Sequence, residues 1–487
     1  MAMIKSLSGL ILCFGILLPC RLPAQCPDYT VSRTTTVEVS PGDDLNGILR
    51  SLEKNTVMYL TTGTYAVSSN LQITADSITL RSKSGNRDDV VLDGNSGGGN
   101  LERTSFVPEV LAISGSDVHI VDISIRHARD HGIHLYPPSG KPVVGCILHN
   151  LHVYDCGEQL IKVNSNGNQD NPFWVDSGIV EGSLIEFVDN SVMEDRGNYF
   201  YTGGLDVHGG QGWIVRWNHF RGIERDGKLM EHAVHFWSRS RGTVVENNRF
   251  ENCYRAVGFG MKQSADGLVR TYADGAGATP YSDHVDGVIR NNMIYNGAGV
   301  HLETGIELMN VTGTAVYYNT VYSTDEPFNS IEYRWPDTRV TIVNNLTSHR
   351  IMQRDGAQAS TDGNVTGATA SLFVDAAAGD LHLAAGADAV IDKGAVLQPE
   401  AGGVDIDGTP HGSIPDIGAD EYLGAGGTTP RRLHPVHGRL QDGSVQIFLA
   451  DGKRFTAEKT RYRNVVSGGV FLARTARMVR KEVGLSR

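Results

Sequence analysis

The chain has 487 residues, of which 40% are hydrophobic and 20% are charged, and its formal net charge is −12. This length suffices for one large domain or a few ordinary ones, each with a full apolar core. Residues 424–487 contain 13 Lys and Arg against 4 Asp and Glu, a local charge of +9 that leaves −21 for the rest of the chain. A body this acidic is a poor general binder of nucleic acid or anionic membranes, so we expect no nucleic-acid partner, and any polyanion that it holds would need a local basic patch.

The N-terminus has the features of a secretory signal. Lys5 is followed by an apolar run over residues 7–18 and then by a small residue, Ala24. The run is too short to span a bilayer, and no later run approaches membrane length. We therefore predict a signal peptide over residues 1–25, a protein that is secreted or held at the bacterial cell surface, and no membrane insertion.

A repeated unit organises residues 36–422, which consist of short alternating segments separated by Gly, Asn and Asp. The unit is an Asn-containing strand, a turn and a second strand, as in VENNRFENCYRAVGFG and IRNNMIYNGAGVHLETGIELMN. An asparagine recurs at one turn of each unit, at Asn218, Asn248, Asn292, Asn319 and Asn345. Stacked amides at such a turn form a hydrogen-bonded ladder, so the repeat predicts a parallel β-helix.

A short helix precedes the repeats. DDLNGILRSLEKN, residues 43–55, places four apolar side chains on one helical face behind Asp44 as the N-cap: Leu45, Ile48, Leu49 and Leu52. VMYLTTGTY and VVLDGN follow it. This order resembles the start of pectate-lyase-like proteins, in which an amphipathic helix caps the first coil. The resemblance implies an all-β fold, a right-handed parallel β-helix with an N-terminal capping helix, over residues 26–422.

The C-terminal part contains two further signals. LHLAAGADAVIDKGA and DIDGTPHGSIPDIGADEY, within residues 381–422, resemble the closing segment of bacterial β-helix proteins. A Gly- and Thr-rich linker is predicted over residues 423–430. Residues 431–487, with VQIFLADGKRF and SGGVFLARTARMVRKEV, resemble the small β-sandwich modules that sort proteins in type IX secretion. The resemblance implies the secretion machinery as a partner, and we expect a monomer.

Strand alternation predicts which side chains share the outer face of the β-helix. When the second strand of each unit is aligned on its inward apolar pair, such as Leu205 and Val207, the residues between and after the pair point outward. The first outward column is His134, Lys162, Asp206, His235, Gly258, Glu307 and Glu332. The second is Tyr136, Asn164, His208, Trp237, Gly260, Met309 and Arg334. Since neighbouring coils lie about 4.8 Å apart, one cluster is predicted: Lys162, Asp206, His208, His235 and Trp237. Gly258 and Gly260 beside it are expected to leave a hollow where a substrate could lie.

Two coil spacings, of 44 and 49 residues, exceed the other spacings of 23 to 29. The excess falls in SNGNQDNPFWVD and MEDRGNYFYTG in one gap and in QSADGLVRTYADGAGATPYSDH in the other. Inserted loops of solenoids commonly wall the binding face. These loops carry aromatic and basic side chains that suit sugar rings, namely Phe173, Trp174, Tyr199, Tyr201, Arg270, Tyr272 and Tyr281.

The resemblance to pectate-lyase-like proteins implies chemistry on polysaccharides, most often β-elimination on uronic-acid polymers. That reaction needs a cation for the uronate carboxylate, a base for the C5 proton and an acid for the leaving oxygen. We predict Lys162 as the base, with His208 and His235 as base, acid or carboxylate ligand. The predicted contacts to an acidic polysaccharide are His134, Asn164, Asp206, Trp237, Arg239, Arg241, Lys262 and Arg334.

Two other functions fit the same fold, and no catalytic signature of a lyase family is present in the sequence. A glycoside hydrolase would need paired carboxylates. Asp206 and Glu307 lie three coils apart, about 14 Å at 4.8 Å per coil, which leaves Glu231 or Asp226 as the partner of Asp206. A surface adhesin would use the columns as a glycan-binding rail without turnover.

Neither a metal nor a disulfide is assigned from the sequence. Calcium is the ion to consider, because SDHVDG, residues 282–287, and Glu307 offer oxygen ligands, although Asp283 and Asp286 equally fit a solvated turn. Four cysteines follow the predicted signal without paired metal-site spacing: Cys26, Cys146, Cys156 and Cys253. For Cys146 and Cys156, packing and a local disulfide are both open.

Overall fold

Three long parallel sheets wind along the chain in a computed structural model, which describes residues 29–96, 102–261 and 268–424 and the backbone of residues 444–448 and 454–458. Successive strands in the chain pass from one sheet to the next, and each strand pairs in parallel with its counterpart one coil away. The fold is the right-handed parallel β-helix that the sequence predicts.

The first sheet has fourteen strands: Thr35–Val39, Thr56–Leu60, Ile78–Ser82, His119–Val121, Ile147–His149, Ile179–Glu181, Ile214–Arg216, Ser240–Arg241, Val244–Glu246, His284–Val285, Val288–Arg290, Val311–Tyr317, Arg339–Val343 and Gln358–Asp362. The second has eleven: Gly63–Ala66, Val90–Asp93, Ser124–Arg126, His152–Tyr154, Leu184–Glu186, His219–Arg221, Arg249–Glu251, Met293–Asn296, Thr320–Ser323, Leu346–Thr347 and Val365–Thr366.

The third sheet, called the site sheet below, has ten strands: Leu71–Ile73, Val107–Ile113, Ala128–Leu135, Gln159–Val163, Gly203–His208, Val234–Trp237, Arg255–Gly260, Thr304–Met309, Asn329–Arg334 and Ile351–Gln353. Shorter pairs are Val143–Val144 with Val175–Asp176, Asn166–Asn168 with Asn171–Phe173, Tyr199–Phe200 with Leu229–Met230, and Phe373–Asp375 with Asp380–Leu383. The helical segments are Leu45–Ser51, Arg87–Asp89, Arg103–Ser105, Asn190–Val192, Ala370–Leu372, Ala376–Ala378 and Pro399–Gly402.

The capping helix is Leu45–Ser51, and the Asp44 side chain accepts a hydrogen bond from the Gly47 backbone N–H, at 3.0 Å. Leu45 and Leu49 are buried on its inner face. This contact closes the apolar end of the solenoid, which would otherwise expose the first coil. The prediction of a capping helix is confirmed.

The predicted asparagine ladder is present at the turn between the first and second sheets. Asn248 donates its side-chain amide to Asn292 at 3.0 Å, and Asn292 donates to Asn319 at 2.9 Å. The ladder continues through Asn345 to Asn364. Each amide also satisfies backbone groups of adjacent coils, so these buried polar side chains hold the coils in register.

The three cysteines among the described residues, Cys146, Cys156 and Cys253, are free and buried. They act as small apolar side chains in the core, so the open question of a local disulfide between Cys146 and Cys156 is answered against one.

The chain divides by its internal contacts into two units, residues 1–429 and 430–487. In the second unit, Ser444–Phe448 and Arg454–Glu458 form an antiparallel pair. The rest of the predicted sorting module and the predicted signal peptide lie outside the described residues, and both stay predictions. No helix in the described part of the chain is long and apolar enough to cross a membrane.

Candidate active site

Strand pairing in the site sheet follows the register of the predicted columns. Lys162 is paired with Asp206, and Asp206 with His235. In the second column His208 is paired with Trp237. Inward apolar residues, such as Leu205 and Val207, are fully buried, and alternation therefore sends these five polar side chains to the outer face as one cluster.

A buried ion pair forms the centre of this cluster. The Lys162 ammonium contacts the Asp206 carboxylate, and only 5% and 7% of the two side chains are exposed. Burial acts to lower the pKa of Lys162, but the Asp206 carboxylate outweighs it and the pKa of Lys162 is raised. The same pairing, against the effect of burial, holds the pKa of Asp206 well below its usual range. Both groups are therefore charged, and Lys162 is a cation rather than the base predicted from the sequence.

His208 lies beside this pair and is more accessible, with 23% of its side chain exposed. Its Nε2 is 3.3 Å from an Asp206 oxygen and 3.1 Å from the Lys162 Nζ. Burial lowers the pKa of His208, although Asp206 opposes this, so its imidazole is neutral at neutral pH. The Trp237 ring packs 4.2 Å from the His208 ring, and its Nε1–H donates to Asp206 at 2.8 Å.

The first outward column is covered rather than solvated. Lys162, Asp206, His235, Glu307 and Glu332 are each at least 95% buried. Strand alternation determines the face of the sheet from which a side chain projects, but neighbouring side chains and inserted loops then cover that face. The accessible groups of the cluster are His208, Trp237 and the adjoining Tyr201 and Glu231.

The hollow predicted beside Gly258 and Gly260 is filled. A Cβ on Gly258 would lie 2.5 Å from the His232 Nε2, so glycine is there to admit that imidazole. Gly260 has a φ of +71°, and a Cβ there would meet the Met309 carbonyl oxygen at 2.0 Å. Both glycines serve close packing, and neither opens space for a substrate.

Three side chains beside the cluster were not predicted as site residues. Tyr201, placed among the loop aromatics, lies with its ring 5.9 Å from the Lys162 Nζ. Glu231, considered only as a hydrolase carboxylate, has an oxygen 4.0 Å from the His235 Nδ1. His232 is buried against Glu307 at 3.0 Å. The column alignment missed these residues because it began with the first inward residue of each strand, and all three precede the strands to which they are adjacent.

His134 and Asn164 extend the cluster by one coil. His134 is paired with Lys162 in the sheet, and its imidazole contacts Glu109 at 2.5 Å and the Asn164 amide at 3.2 Å. Both side chains are half-buried.

The three predicted arginine contacts do not join the cluster. Arg239 is buried and donates to the carbonyl oxygens of Ser282 and Arg270. Arg241 pairs with Asp274 and Asp286 on the first sheet. Arg334 lies on the site sheet but three coils after Trp237, where it pairs with Asp355, and Lys262 lies outside the described residues. Sequence position near a strand end did not reveal that these guanidinium groups already have partners.

The side chains considered for calcium do not converge. Asp283 accepts hydrogen bonds from Tyr281 and from the Arg239 backbone, and Asp286 pairs with Arg241. Glu307 binds His232. Among the described residues, the groups whose ligand atoms come together do not include these three carboxylates as a set.

The inserted loops contact one another beside the site sheet. The Gln169 amide forms two hydrogen bonds with the backbone of Val269, at 2.7 and 3.2 Å. Arg270 binds Asp176 with both guanidinium nitrogens and packs over the Trp174 ring. Trp174 is 8% exposed and lies against Gly209, so it supports the loops and does not face a ligand.

No family model matches the chain, and no curated protein matches its sequence. Among solved structures the chain is similar to pectate lyase Pel9A, with a TM-score of 0.52, 13% identity, and coverage of 80% of this chain and 97% of that one. At this identity the likeness establishes the fold.

Two further similar structures have lower scores. One is an alginate lyase from Paenibacillus sp., with a TM-score of 0.42, 17% identity, and coverage of 69% of this chain and 99% of that one. The other is PfbA, a surface adhesin of Streptococcus pneumoniae, with a TM-score of 0.43, 10% identity, and coverage of 64% and 83%.

Proposed function

We propose that this protein is an extracellular polysaccharide lyase that cleaves a uronic-acid polymer by β-elimination. The observation that carries the proposal is a neutral, partly accessible imidazole, His208, held against a buried Lys162–Asp206 ion pair on the outer face of a β-helix. The fold is shared with a pectate lyase, and an outer face crossed by many coils suits a linear polymer. Secretion and sorting through residues 431–487 remain part of this proposal.

His208 is the proposed base. In the tautomer with an Nε2–H, this hydrogen points at Asp206, and the Lys162 ammonium directs its own N–H groups at the same carboxylate, so the Nδ1 lone pair is free to take the C5 proton. Asp206 orients the ring, and Trp237 packs against it. Asp206 itself is a poor proton donor, because the ion pair with Lys162 keeps it ionised. Lys162 then acts as a fixed cation beneath the reacting group, in place of the base role predicted from the sequence.

Tyr201 is the proposed acid for the leaving oxygen. Its ring lies beside Lys162, and burial raises the pKa of Tyr201, so the phenol keeps its proton at neutral pH. A phenol that is protonated in the resting state and next to a cation is suited to give up that proton as negative charge develops on the C4 oxygen. The sugar ring is expected to lie over Trp237 and His208, the accessible rings of the cluster.

The test is incubation of the purified protein with a panel of uronic-acid polysaccharides while following the ultraviolet absorbance of the unsaturated product. His208→Gln is expected to lower the rate by about 10²–10⁴-fold, the usual contribution of a general base. His152→Gln is the matched control, since it removes an imidazole that pairs with Glu186 on the second sheet. Tyr201→Phe is expected to lower the rate with little change in stability.

The outcomes separate the three functions that the sequence leaves open. New reducing ends without a rise in absorbance would show that the protein is a hydrolase and not a lyase. Glu231 would then be the carboxyl group to test as the general acid, because burial raises the pKa of Glu231. Retention on a glycan column without either signal would indicate a binding protein. Equal rates for His208→Gln and the control would remove His208 from the mechanism.

A further inference from the structure

A buried imidazole nitrogen lies next to the cluster without a hydrogen-bond partner in the described part of the chain. It is the Nδ1 of His232, a residue that is 2% exposed and whose Nε2 contacts the Glu307 carboxylate at 3.0 Å. A buried polar atom that is left unpaired destabilises the folded state. The Nδ1 atom of His232 is therefore available to bind a ligand.

His235 presents a nitrogen in the same way. Its Nε2 is 3.0 Å from the Gly260 carbonyl oxygen, to which only an N–H can donate. That tautomer leaves a lone pair on Nδ1, which lies 4.0 Å from a Glu231 oxygen and 3.9 Å from an Asp206 oxygen. The rings of His232 and His235 have centroids 4.5 Å apart.

We propose that Glu231, His232 and His235 form a binding site for a transition-metal ion of the zinc class. One ligand atom of each residue lies within 4.8 Å of those of the other two. Four-coordinate zinc, with bonds of about 2.0–2.2 Å, separates its ligand atoms by roughly 3.4 Å, so small side-chain rotations close the site. This proposal depends on the geometry of these residues and is independent of the proposed lyase activity.

The surroundings match those of a metal-binding histidine pair. Each imidazole directs its other nitrogen at an oxygen acceptor, the Glu307 carboxylate for His232 and the Gly260 carbonyl for His235. Such partners fix the tautomer that leaves the ligating nitrogen free. Glu307 is itself held by Arg255 at 3.7 Å.

The donor set predicts which ion binds. Two imidazole nitrogens and one carboxylate oxygen favour zinc or cobalt over calcium or magnesium, which take oxygen ligands. Asp206 is close to His235 but is engaged by Lys162 and Trp237, so the fourth position is left to water or to a ligand. Glu231 has 31% of its side chain exposed, which provides an entry path.

The experiment is titration of the full, chelator-treated protein with Zn²⁺ by calorimetry, with Co²⁺ as a spectroscopic probe. We expect one equivalent of Zn²⁺ to bind through these residues, a visible Co²⁺ spectrum of low-coordinate type, and no competition from Ca²⁺. His235→Gln and Glu231→Gln are expected to abolish that equivalent. Glu307→Gln is expected to weaken it about 10–100-fold, the usual effect of an outer partner. His152→Gln is expected to bind like the unaltered protein.

Bound metal should also raise the thermal midpoint, because an ion that binds only the folded state stabilises it. This rise is expected in the unaltered protein and absent in Glu231→Gln, whose partly exposed position makes it the variant least prone to misfold. Failure of the folded, unaltered protein to bind Zn²⁺ would overturn the proposal. Retention of the same equivalent by both Glu231→Gln and His235→Gln would also overturn it.

Discussion

Replacing Gly258 by alanine tests the packing around the candidate site. Gly258 stands in the first outward column between His235 and Glu307, its strand partners. An added methyl group would lie 2.5, 2.6 and 2.8 Å from the Nε2, Cδ2 and Cε1 atoms of the His232 imidazole. Real Cβ atoms do not approach heavy atoms this closely, so the ring must leave its position or the strand must shift.

Two effects lower the free energy of unfolding of the Gly258→Ala variant. Overpacking of a tight interior costs about 1–3 kcal/mol. Displacement of the His232 ring also breaks its hydrogen bond to the buried Glu307 carboxylate, and bonds to charged groups contribute about 1.5–3 kcal/mol. Since the two effects share one ring, we expect a loss of about 2–5 kcal/mol in the free energy of unfolding rather than their full sum.

Chemical denaturation and hydrogen exchange of the strand Arg255–Gly260 measure this loss. Gly386→Ala is the matched control, because nothing lies within 4 Å of a Cβ there and no positive φ opposes it. The control should be neutral or slightly stabilising, by up to about 1 kcal/mol, through the unfolded chain. A Gly258→Ala protein as stable as the control, with unchanged exchange, would refute the placement of His232 over this glycine.

Three further predictions concern the ladder, a buried acid and the proposed base. Asn292→Ala is expected to cost about 2–4 kcal/mol in denaturation experiments, because it strips partners from buried amide and carbonyl groups on both sides, whereas Asn364→Ala, at the half-buried end, should cost less than half as much. Burial and the Glu194 carboxyl raise the pKa of Glu158 from 4.5 to about 8, so its stabilising contribution is complete below pH 4.5 and is lost as the pH rises toward 8. Glu158→Gln should therefore gain stability relative to the unaltered protein over that range, and a difference that does not change with pH would contradict this. If His208 is the base, the acidic limb of kcat/KM should lie below pH 6.5, because burial lowers the pKa of His208, and a limb above pH 6.5 would exclude this role.

The predictable part of the molecule is the part that repeats. Asn218, Asn248 and Asn292 recur at one turn, and this period is by itself enough to indicate parallel coils. Alternation in the second strands then predicts the register, which the pairing of Lys162 with Asp206 follows. Both signals survive in a single sequence because every coil must satisfy the same stacking constraint.

Burial and charge state in the candidate site are not repeated from coil to coil and could not be read in this way. The column alignment predicts that the Lys162 side chain projects from the outer face. Its positive charge, however, depends on its distance from Asp206, which the alignment does not give. His232 escapes the column alignment because it lies before the inward residues on which the strands are aligned. The sequence signal for His232 is Gly258, a glycine in a column of large side chains. It marks the space that the His232 ring fills, not the open hollow predicted from the sequence.

The charge balance of the cluster connects the two proposals. Lys162 is neutralised by Asp206, and His208 is neutral, so these three groups carry no net charge, and only the local field of the Lys162 ammonium would act on a uronate carboxylate. A divalent ion held by Glu231, His232 and His235 would supply that positive charge within a few ångströms of Asp206. If the protein cleaves a uronic-acid polymer and also binds zinc here, chelation should raise KM for charged polymers more than for their methyl esters. Turnover that is unaffected by chelation would be compatible with the proposed lyase activity, but another cation would then have to neutralise the uronate carboxylate.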